Sequence, residues 1–160
     1  MTIKAGDTMP AATLYHMTPE GPRALSTEEL FKGKKVALFG LPGAFTPTCS
    51  VKHVPGFLAN ADALRAKGID SIICLSVNDA FVMGAWGKIL NVGNAIIMAA
   101  DGSAELTKAM GLELDLTSRG MGVRCDRFSM IVDDGVVQVI NREEPGQYRI
   151  SSAESMLGQL

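Results

Sequence analysis

The segment Val36–Cys49, VALFGLPGAFTPTC, indicates the fold, because it joins three kinds of local structure in a short stretch. Val36–Leu41 is a compact apolar run that follows two lysines, which predicts a buried strand. Pro42–Thr48 is rich in turn-forming residues. The residues Cys49–Lys67 then have a helical pattern that stops at a glycine. A strand, a tight loop and a helix therefore follow one another.

Helix signals occur at further places along the chain. Pro55 and Gly56 fall inside the predicted helix 49–67, so we expect this helix to be kinked there or to begin in earnest only after them. The capping box Ser26-x-x-Glu29 predicts a short helix that ends near Gly33. A second capping box, Ser151-x-x-Glu154, predicts a C-terminal helix that runs to the last residue.

The remaining pattern alternates strands with helices. Strands are predicted at Ile69–Val77 and Ala95–Ala100, helices at Asp79–Leu90 and Ser103–Met110, and a hairpin at Phe128–Val132 and Val136–Ile140 around Asp133-Asp134-Gly135. This order predicts an α/β fold with a central mixed sheet, part parallel and part antiparallel, flanked by helices. Ligand sites in such sheets lie where a strand hands over to a helix, and Pro42–Cys49 has that position.

Length and composition set broad limits. The chain has 160 residues without a repeat or a linker, which predicts one domain over residues 1–160. Its net charge of −2 gives no reason to expect nucleic acid as a partner. No apolar stretch is long enough for a membrane span, and the N-terminus does not resemble a secretory signal. We therefore expect a cytoplasmic protein.

Three cysteines, Cys49, Cys74 and Cys125, are the chemically notable side chains. Their number is odd and none forms a C-x-x-C pair, so a disulfide scaffold is not expected. With only His16 and His53 as histidines, a zinc site is not expected either. In a reducing compartment each cysteine is a small buried hydrophobe or a reactive group.

The surroundings of Cys49 favour a reactive thiol. Cys49 lies at a predicted helix N-terminus, where free N–H groups and the helix dipole stabilise a thiolate. Thr46, three residues earlier, brings a hydroxyl that can donate to a thiolate or to a substrate oxygen. Pro42 and Pro47 stiffen the loop. The loop is typical of an activated-thiol site.

The segment Gly40–Phe57, GLPGAFTPTCSVKHVPGF, contains P-x-x-x-T-x-x-C and resembles the peroxiredoxin family, in particular its type II (atypical, "5-like") branch. The stretches IICLSVNDAFVMGAWG, ADGSAELTKAMGLELDL and RFSMIVDDGVV are similar to that branch as well. The resemblance implies a thioredoxin-like fold. It also implies a thiol-dependent peroxidase that reduces hydrogen peroxide and small organic hydroperoxides without a metal or organic cofactor.

The resemblance assigns roles to four residues. Cys49 matches the peroxidatic cysteine, whose thiolate attacks the peroxide and becomes a sulfenic acid. Thr46 matches the hydroxyl that hydrogen-bonds peroxide and thiolate, and Pro42 matches the residue that shields the sulfur. Arg127 matches the arginine over the site, whose charge favours the thiolate. Arg124 is the alternative arginine.

Regeneration of the enzyme is left open between two routes. The segment 141–160 contains no cysteine that could resolve the sulfenic acid. Cys74 matches the second cysteine of plant-type members, but a strand centre and a helix start would need local unfolding to form a disulfide. The other route is an external thiol, from glutathione with glutaredoxin or from thioredoxin. Cys125 has no role in the family.

Several other interpretations remain at this point. A thioredoxin-like disulfide reductase is disfavoured by the lack of C-x-x-C, while a redox sensor or binding protein would use Cys49 without steady-state turnover. His53 could pair with Cys49 on one helical face, although a structural histidine is the expected role. Trp86 and Phe45 are expected in the core, in a subunit contact or at an apolar rim of the peroxide pocket. The resemblance also implies a homodimer.

Overall fold

A seven-stranded mixed sheet forms the centre of the molecule. The computed structural model describes residues 1–160. The strands are β1 (Thr13–Thr18), β2 (Gly21–Ser26), β3 (Lys35–Gly40), β4 (Ser71–Ser76), β5 (Ile97–Ala100), β6 (Glu113–Leu116), β7 (Gly122–Cys125), β8 (Phe128–Asp133) and β9 (Val136–Arg142). The large sheet has the order β2-β1-β5-β4-β3-β8-β9, and β6 pairs with β7 separately.

Helices cover this sheet on both faces. They are α1 (Thr27–Phe31), α2 (Val54–Ala59), α3 (Ala61–Ala66), α4 (Ala80–Ile89), α5 (Glu105–Ala109) and α6 (Ala153–Leu157), with a π-helical turn at Cys49–His53 and a 3-10 turn at Thr117–Arg119. Two apolar clusters lie in the molecule, one containing Phe39 and Cys74 and the other containing Leu38 and Ile73. Successive side chains of the central strands therefore pack into different clusters, as expected for a sheet that is buried on both faces.

The predicted mixture of strand directions is confirmed. β3, β4 and β5 run parallel, whereas β8 and β9 form an antiparallel hairpin that pairs β8 with β3. The architecture is the α/β fold that the sequence predicts, with a central mixed sheet flanked by helices. None of the helices combines the length and the apolar character that a membrane span requires.

The predicted break in the helix after Cys49 lies at a different residue. Val54 N–H donates to the Cys49 carbonyl, which closes the π-helical turn, and α2 begins at Val54. Pro55 is then in the first turn of α2, where a missing N–H costs little. The chain instead breaks at Asn60, whose side-chain amide donates to the Gly56 carbonyl at 2.8 Å. The helix is thus irregular just before Pro55, as expected, but its regular α-helical part begins at Val54 rather than after Gly56.

The second capping box is also placed differently. Ser152, not Ser151, caps α6 by accepting a hydrogen bond from Ser155 N–H at 3.1 Å. The Ser151 hydroxyl donates to Glu143 instead, and Glu154 accepts from Asn60. The first box is confirmed, because Ser26 accepts from Glu29 N–H at 3.1 Å at the start of α1. The sequence pattern is therefore correct in one case and displaced by one residue in the other.

Candidate active site

The loop after β3 is held close to the sheet by features that the sequence dictates. A Cβ atom at Gly40 would lie 2.1 Å from Cε1 of Phe128 on the neighbouring strand, so this strand end requires glycine. Phe45 adopts a left-handed φ of 65°, which is a strained conformation for a non-glycine residue. The side-chain oxygen of Asn78 accepts from Ala44 N–H at 3.0 Å and fixes the loop to the end of β4. A tightly specified backbone therefore precedes Cys49.

Cys49 lies in the first turns of the following helix, and its side chain is fully buried. The helix begins immediately before it, with a hydrogen bond from Ser50 N–H to the Thr46 carbonyl at 3.0 Å. Nη2 of Arg127, which immediately precedes β8, donates to Sγ of Cys49 at 3.1 Å. Arg127 is therefore the arginine that the structure brings to the sulfur, in the position that stabilises a thiolate.

Arg127 is anchored by a second contact on the same guanidinium. Its Nη1 donates to Nδ1 of His53 at 2.9 Å, and the Tyr148 ring lies 5.9 Å from the guanidinium carbon. Nε2 of His53 hydrogen-bonds the Ser151 carbonyl at 3.0 Å. Burial and, to a lesser extent, the charge of Arg127 lower the pKa of His53 to about 3. His53 is therefore neutral at physiological pH, and it contacts the arginine rather than the thiol.

Thr46 and Pro42 lie in the loop before Cys49, and the hydrogen bond of the Thr46 hydroxyl differs from the expected one. The Thr46 hydroxyl donates to the Gly43 carbonyl at 2.7 Å, so its proton is already used in a hydrogen bond within the loop. The Pro42 carbonyl accepts from Arg124 at 3.5 Å. Pro42, Thr48 and Arg127 line one small cavity of about 90 Å³. Neither Cys49 nor Thr46 lines this cavity, so it borders Arg127 without including the sulfur.

Comparisons with known proteins agree with this geometry. The redoxin family model matches residues 4–157. The chain is 51% identical to peroxiredoxin-2E-2 (chloroplastic) of Oryza sativa subsp. japonica, over 99% of this chain and 73% of the relative. It is 49% identical to peroxiredoxin-2B of Arabidopsis thaliana, over 99% of this chain and 98% of the relative. Reduced Prx3 of Vibrio vulnificus in complex with hydrogen peroxide superposes with a TM-score of 0.95 at 51% identity, covering 99% of both chains.

The chain belongs to the redoxin family and is a type II peroxiredoxin. It is therefore a thiol peroxidase, an oxidoreductase that reduces peroxide at the expense of thiols. The family assignment made from the Gly40–Phe57 segment is confirmed.

The other two cysteines of this peroxiredoxin are buried in its core. Cys74 is in the middle of β4, paired with Phe39 of β3 and with Met98 of β5. Burial, and next the proximity of Cys49, raise the pKa of the Cys74 thiol. Cys125 ends β7, and burial raises the pKa of its thiol as well. All three cysteines are free thiols in this structure.

Arg124 contacts backbone carbonyls and not the sulfur that Arg127 contacts. Its Nε donates to the Met121 carbonyl at 2.8 Å, and its Nη1 donates to the carbonyls of Val77 at 3.4 Å and Pro42. It therefore ties β7 to the loops after β3 and β4, and no contact with the Cys49 sulfur is recorded for it.

Trp86 and Phe45 are placed differently from each other. Trp86 is fully buried and donates from its indole nitrogen to the Ser50 hydroxyl at 3.0 Å, which makes it a core residue that contacts the Cys49 helix. Phe45 is 50% exposed, and its ring centre is 6.3 Å from that of Trp86.

Four residues of the site were not predicted from the sequence. Asn78, Glu143, Tyr148 and Ser151 hold the loop, the arginine or the histidine in place. Asn78 follows directly on a buried strand, a signal that could have pointed to it. The other three lie in the segment after β9, where no periodic pattern distinguishes them.

Proposed function

We propose that Cys49 is the peroxidatic nucleophile of this thiol peroxidase and that Arg127 is the group that stabilises its charged forms. The observation that carries the proposal is the 3.1 Å hydrogen bond from Arg127 Nη2 to Cys49 Sγ at a helix start. Arginine stays protonated, so the sulfur has a fixed positive charge beside it at every working pH. Neither Cys74 nor Cys125 has such a partner among its recorded contacts.

The first half-reaction follows from this geometry. The Cys49 thiolate attacks one oxygen of the peroxide, the O–O bond breaks, and Cys49 becomes a sulfenic acid. The departing oxygen leaves as hydroxide or alkoxide and takes a proton to give water or an alcohol. Arg127 is adjacent to this charge as it develops, which is the requirement for electrostatic catalysis. Hydrogen peroxide and small organic hydroperoxides are the proposed substrates, because Cys49 is fully buried and a small peroxide needs the least space to reach its sulfur.

Thr46 is proposed to bind the peroxide as an acceptor. Its hydroxyl proton is donated to the Gly43 carbonyl, which leaves the lone pairs of Oγ1 free to receive a peroxide O–H. Pro42, in the loop that leads to Cys49, is proposed to limit access of water to the sulfur, as the family resemblance implies. These assignments differ from the sequence expectation only in the direction of the Thr46 hydrogen bond.

Reduction of the sulfenic acid is proposed to use an external thiol. The thiol sulfur attacks the Cys49 sulfenic acid, water leaves, and a second thiol reduces the mixed disulfide. Burial disfavours the thiolate of Cys74 that an internal route would require, since the thiolate is the attacking form. Because Cys49 has no exposed surface, the helix that carries it must open for the external thiol to reach it. Glutathione with glutaredoxin, or thioredoxin, is the proposed reductant.

We propose that this one-domain chain forms a homodimer and that it works in the cytoplasm. Phe45 in the active-site loop and Phe81 at the start of α4 are 50% and 66% exposed, so each presents an apolar ring to solvent. Such residues are enriched in the cores of protein interfaces. Sedimentation of the wild type and of Phe81→Asp tests the dimer, because a charge in the interface would produce monomers.

Stopped-flow oxidation followed by steady-state turnover tests the proposed function. Cys49→Ser is expected to abolish both, while Cys125→Ser leaves both intact. Fast oxidation that survives in Cys49→Ser would overturn the assignment of the nucleophile. Turnover is measured with glutathione and glutaredoxin in one series and with thioredoxin in another, which identifies the reductant.

A further inference from the structure

A buried carboxylate shapes the segment that precedes α6. Glu143 follows β9 and is 6% exposed. Its Oε2 atom accepts from the N–H groups of Arg149 at 2.7 Å, Ile150 at 2.8 Å and Ser151 at 2.8 Å, and from the Ser151 hydroxyl at 2.7 Å. Four donors that converge on one oxygen fix the backbone from 149 to 151. The carboxylate therefore determines where the Ser151 carbonyl points.

Arg127 and the Ser151 carbonyl together fix the tautomer of His53. Arg127 carries donors only, so Nδ1 of His53 must be the unprotonated nitrogen that accepts from it. The single proton of the neutral ring is then on Nε2, and it is donated to the Ser151 carbonyl at 3.0 Å. If that carbonyl moved, the Nε2 proton would lose its acceptor, and the tautomer would depend on the contact between Arg127 and Nδ1 alone.

We propose that Glu143 is a positioning residue for peroxide reduction, acting on Cys49 through Ser151, His53 and Arg127. The carboxylate holds the Ser151 carbonyl, the carbonyl holds the His53 tautomer, and His53 Nδ1 holds Nη1 of Arg127. With Nη1 fixed, Nη2 of the same planar guanidinium is directed at the Cys49 sulfur. The inference rests on the proposed roles of Cys49 and Arg127 and extends the site to the segment after β9.

The charges around His53 agree with this arrangement. The groups that face the ring are the Arg127 guanidinium, the Ser151 carbonyl, the Glu143 carboxylate and the Tyr148 ring. Burial raises the pKa of Glu143, but the hydrogen bonds from Ser151, Ile150 and Arg149 together outweigh it, and the net pKa is lowered. Glu143 therefore remains an anion and His53 remains neutral over the physiological range.

Kinetics of Cys49 oxidation test the proposal. Glu143→Ala is expected to slow the second-order reaction with hydrogen peroxide about tenfold, the effect of losing one anchoring hydrogen bond on a charged group. Glu20→Ala is the control, because it removes an exposed carboxylate in the turn between β1 and β2, and it should react like the wild type. If Glu143→Ala is folded and reacts within about twofold of the wild type, the proposal is overturned.

A double-mutant cycle separates positioning from general stability. In an Arg127→Gln background the further change Glu143→Ala should slow oxidation by less than about twofold, because both residues act through the same contact. An undiminished tenfold effect in that background would overturn the proposal. Glu143→Gln replaces the charged acceptor of these hydrogen bonds with a neutral one of the same shape, so it should lose part of the rate as well.

Nitrogen NMR of the His53 side chain gives a readout that is independent of activity and of the alanine variant's folding. In the wild type the ring is expected as the neutral Nε2–H tautomer, and in Glu143→Gln this tautomer should lose population. A proton found on Nδ1 in the wild type, or a tautomer population unchanged in Glu143→Gln, would overturn the proposal. Failure of the wild type to oxidise at Cys49 would instead overturn the proposed function and leave the tautomer result standing.

Discussion

The Arg127 guanidinium touches Cys49 and His53 at the same time, through different nitrogens, at 3.1 Å and 2.9 Å. One nitrogen contacts the sulfur and the other contacts the imidazole ring of His53. Lysine has a single ammonium group and cannot reproduce this fork at both contacts.

Arg127→Lys is therefore expected to keep a positive charge near the Cys49 sulfur. It should lose the simultaneous hydrogen bonds to Cys49 and His53. We expect the rate of Cys49 oxidation by peroxide to fall about tenfold in Arg127→Lys and about a hundredfold in Arg127→Gln. Stopped-flow fluorescence of Trp86, which contacts the Cys49 helix through Ser50, can follow the reaction.

Arg124 provides the comparison for that prediction. It contacts backbone carbonyls of the loops, so Arg124→Gln should lower stability more than it lowers the intrinsic oxidation rate. A larger kinetic loss in Arg124→Gln than in Arg127→Gln, with both variants folded, would contradict the assignment of Arg127.

Cys74→Ser is expected to leave turnover with an external thiol within about twofold of the wild type, since burial disfavours the Cys74 thiolate. The measurement is steady-state peroxide consumption with glutathione and glutaredoxin, and with thioredoxin. Mass spectrometry of the oxidised wild type under non-reducing conditions provides the control. A Cys49–Cys74 disulfide, together with collapse of turnover in Cys74→Ser, would instead assign Cys74 as the resolving thiol.

Protonation of His53 should make the free energy of unfolding depend on pH. Its pKa is lowered from 6.5 to about 3 in the folded protein, so the unfolded chain binds one more proton between these values. The stabilisation is present above the pKa of the unfolded chain, 6.5. It is lost as the pH falls from there towards the pKa of the folded protein, about 3. Between pH 7 and pH 5 the free energy of unfolding should fall by about 2 kcal/mol from this group alone.

Urea unfolding of the wild type and of His53→Gln at both pH values measures that contribution. The variant should lack most of the fall, while retaining a donor that can reach the Ser151 carbonyl. His16→Asn is the control, because burial and then the charge of Arg23 also lower the pKa of His16, but that ring keeps more contact with solvent. Equal slopes in the wild type and in His53→Gln would contradict a neutral buried His53.

Gly40 tests the packing that sets the position of the active-site loop. A methyl group there would meet the buried Phe128 ring at 2.1 Å, so Gly40→Ala should destabilise the protein by about 3 kcal/mol through overpacking. Gly158→Ala is the control, since its nearest neighbours are at 3.5 Å and beyond. Thermal unfolding measures both, and a Gly40→Ala variant as stable as the wild type would mean that β8 can shift without cost.

The sequence predicted the elements with strong periodicity and missed those without it. β3, β4 and β8 are apolar runs that are buried throughout most of their length, so the pattern is clear. β1 and β2 carry few buried residues, and β6 and β7 pair in a small separate sheet, so no alternation marks them. Local signals cannot show which polar residues the fold brings together.

The residues of the site were likewise predicted only where a local pattern marks them. Cys49 and Thr46 are three residues apart, and their spacing is visible in the sequence. Arg127 was identified through the family resemblance alone, since a charged residue before a strand carries no local signal of catalysis. Glu143 and Ser151 reach His53 only because β9 and the following segment fold back over the Cys49 helix. Such contacts depend on tertiary structure.

Thr46 gives the sharpest test of how the peroxide binds. Its hydroxyl donates to the Gly43 carbonyl at 2.7 Å, and its backbone carbonyl accepts from Ser50 N–H at 3.0 Å. Thr46→Val keeps the shape of the side chain. It removes the proposed acceptor for peroxide and the side-chain hydrogen bond to the Gly43 carbonyl. The rate of Cys49 oxidation should fall about a hundredfold, because a preorganised polar group next to the reacting atoms is lost.

Thr46→Ser separates the two consequences of that change. Serine keeps the hydroxyl, so its oxidation rate should remain within about tenfold of the wild type even though the methyl group is lost. Alkylation of Cys49 by iodoacetamide, which needs the thiolate but no peroxide acceptor, should change much less than peroxide oxidation in Thr46→Val. An equal loss in both reactions would mean that Thr46 acts on the thiolate itself, and the acceptor role would then be wrong.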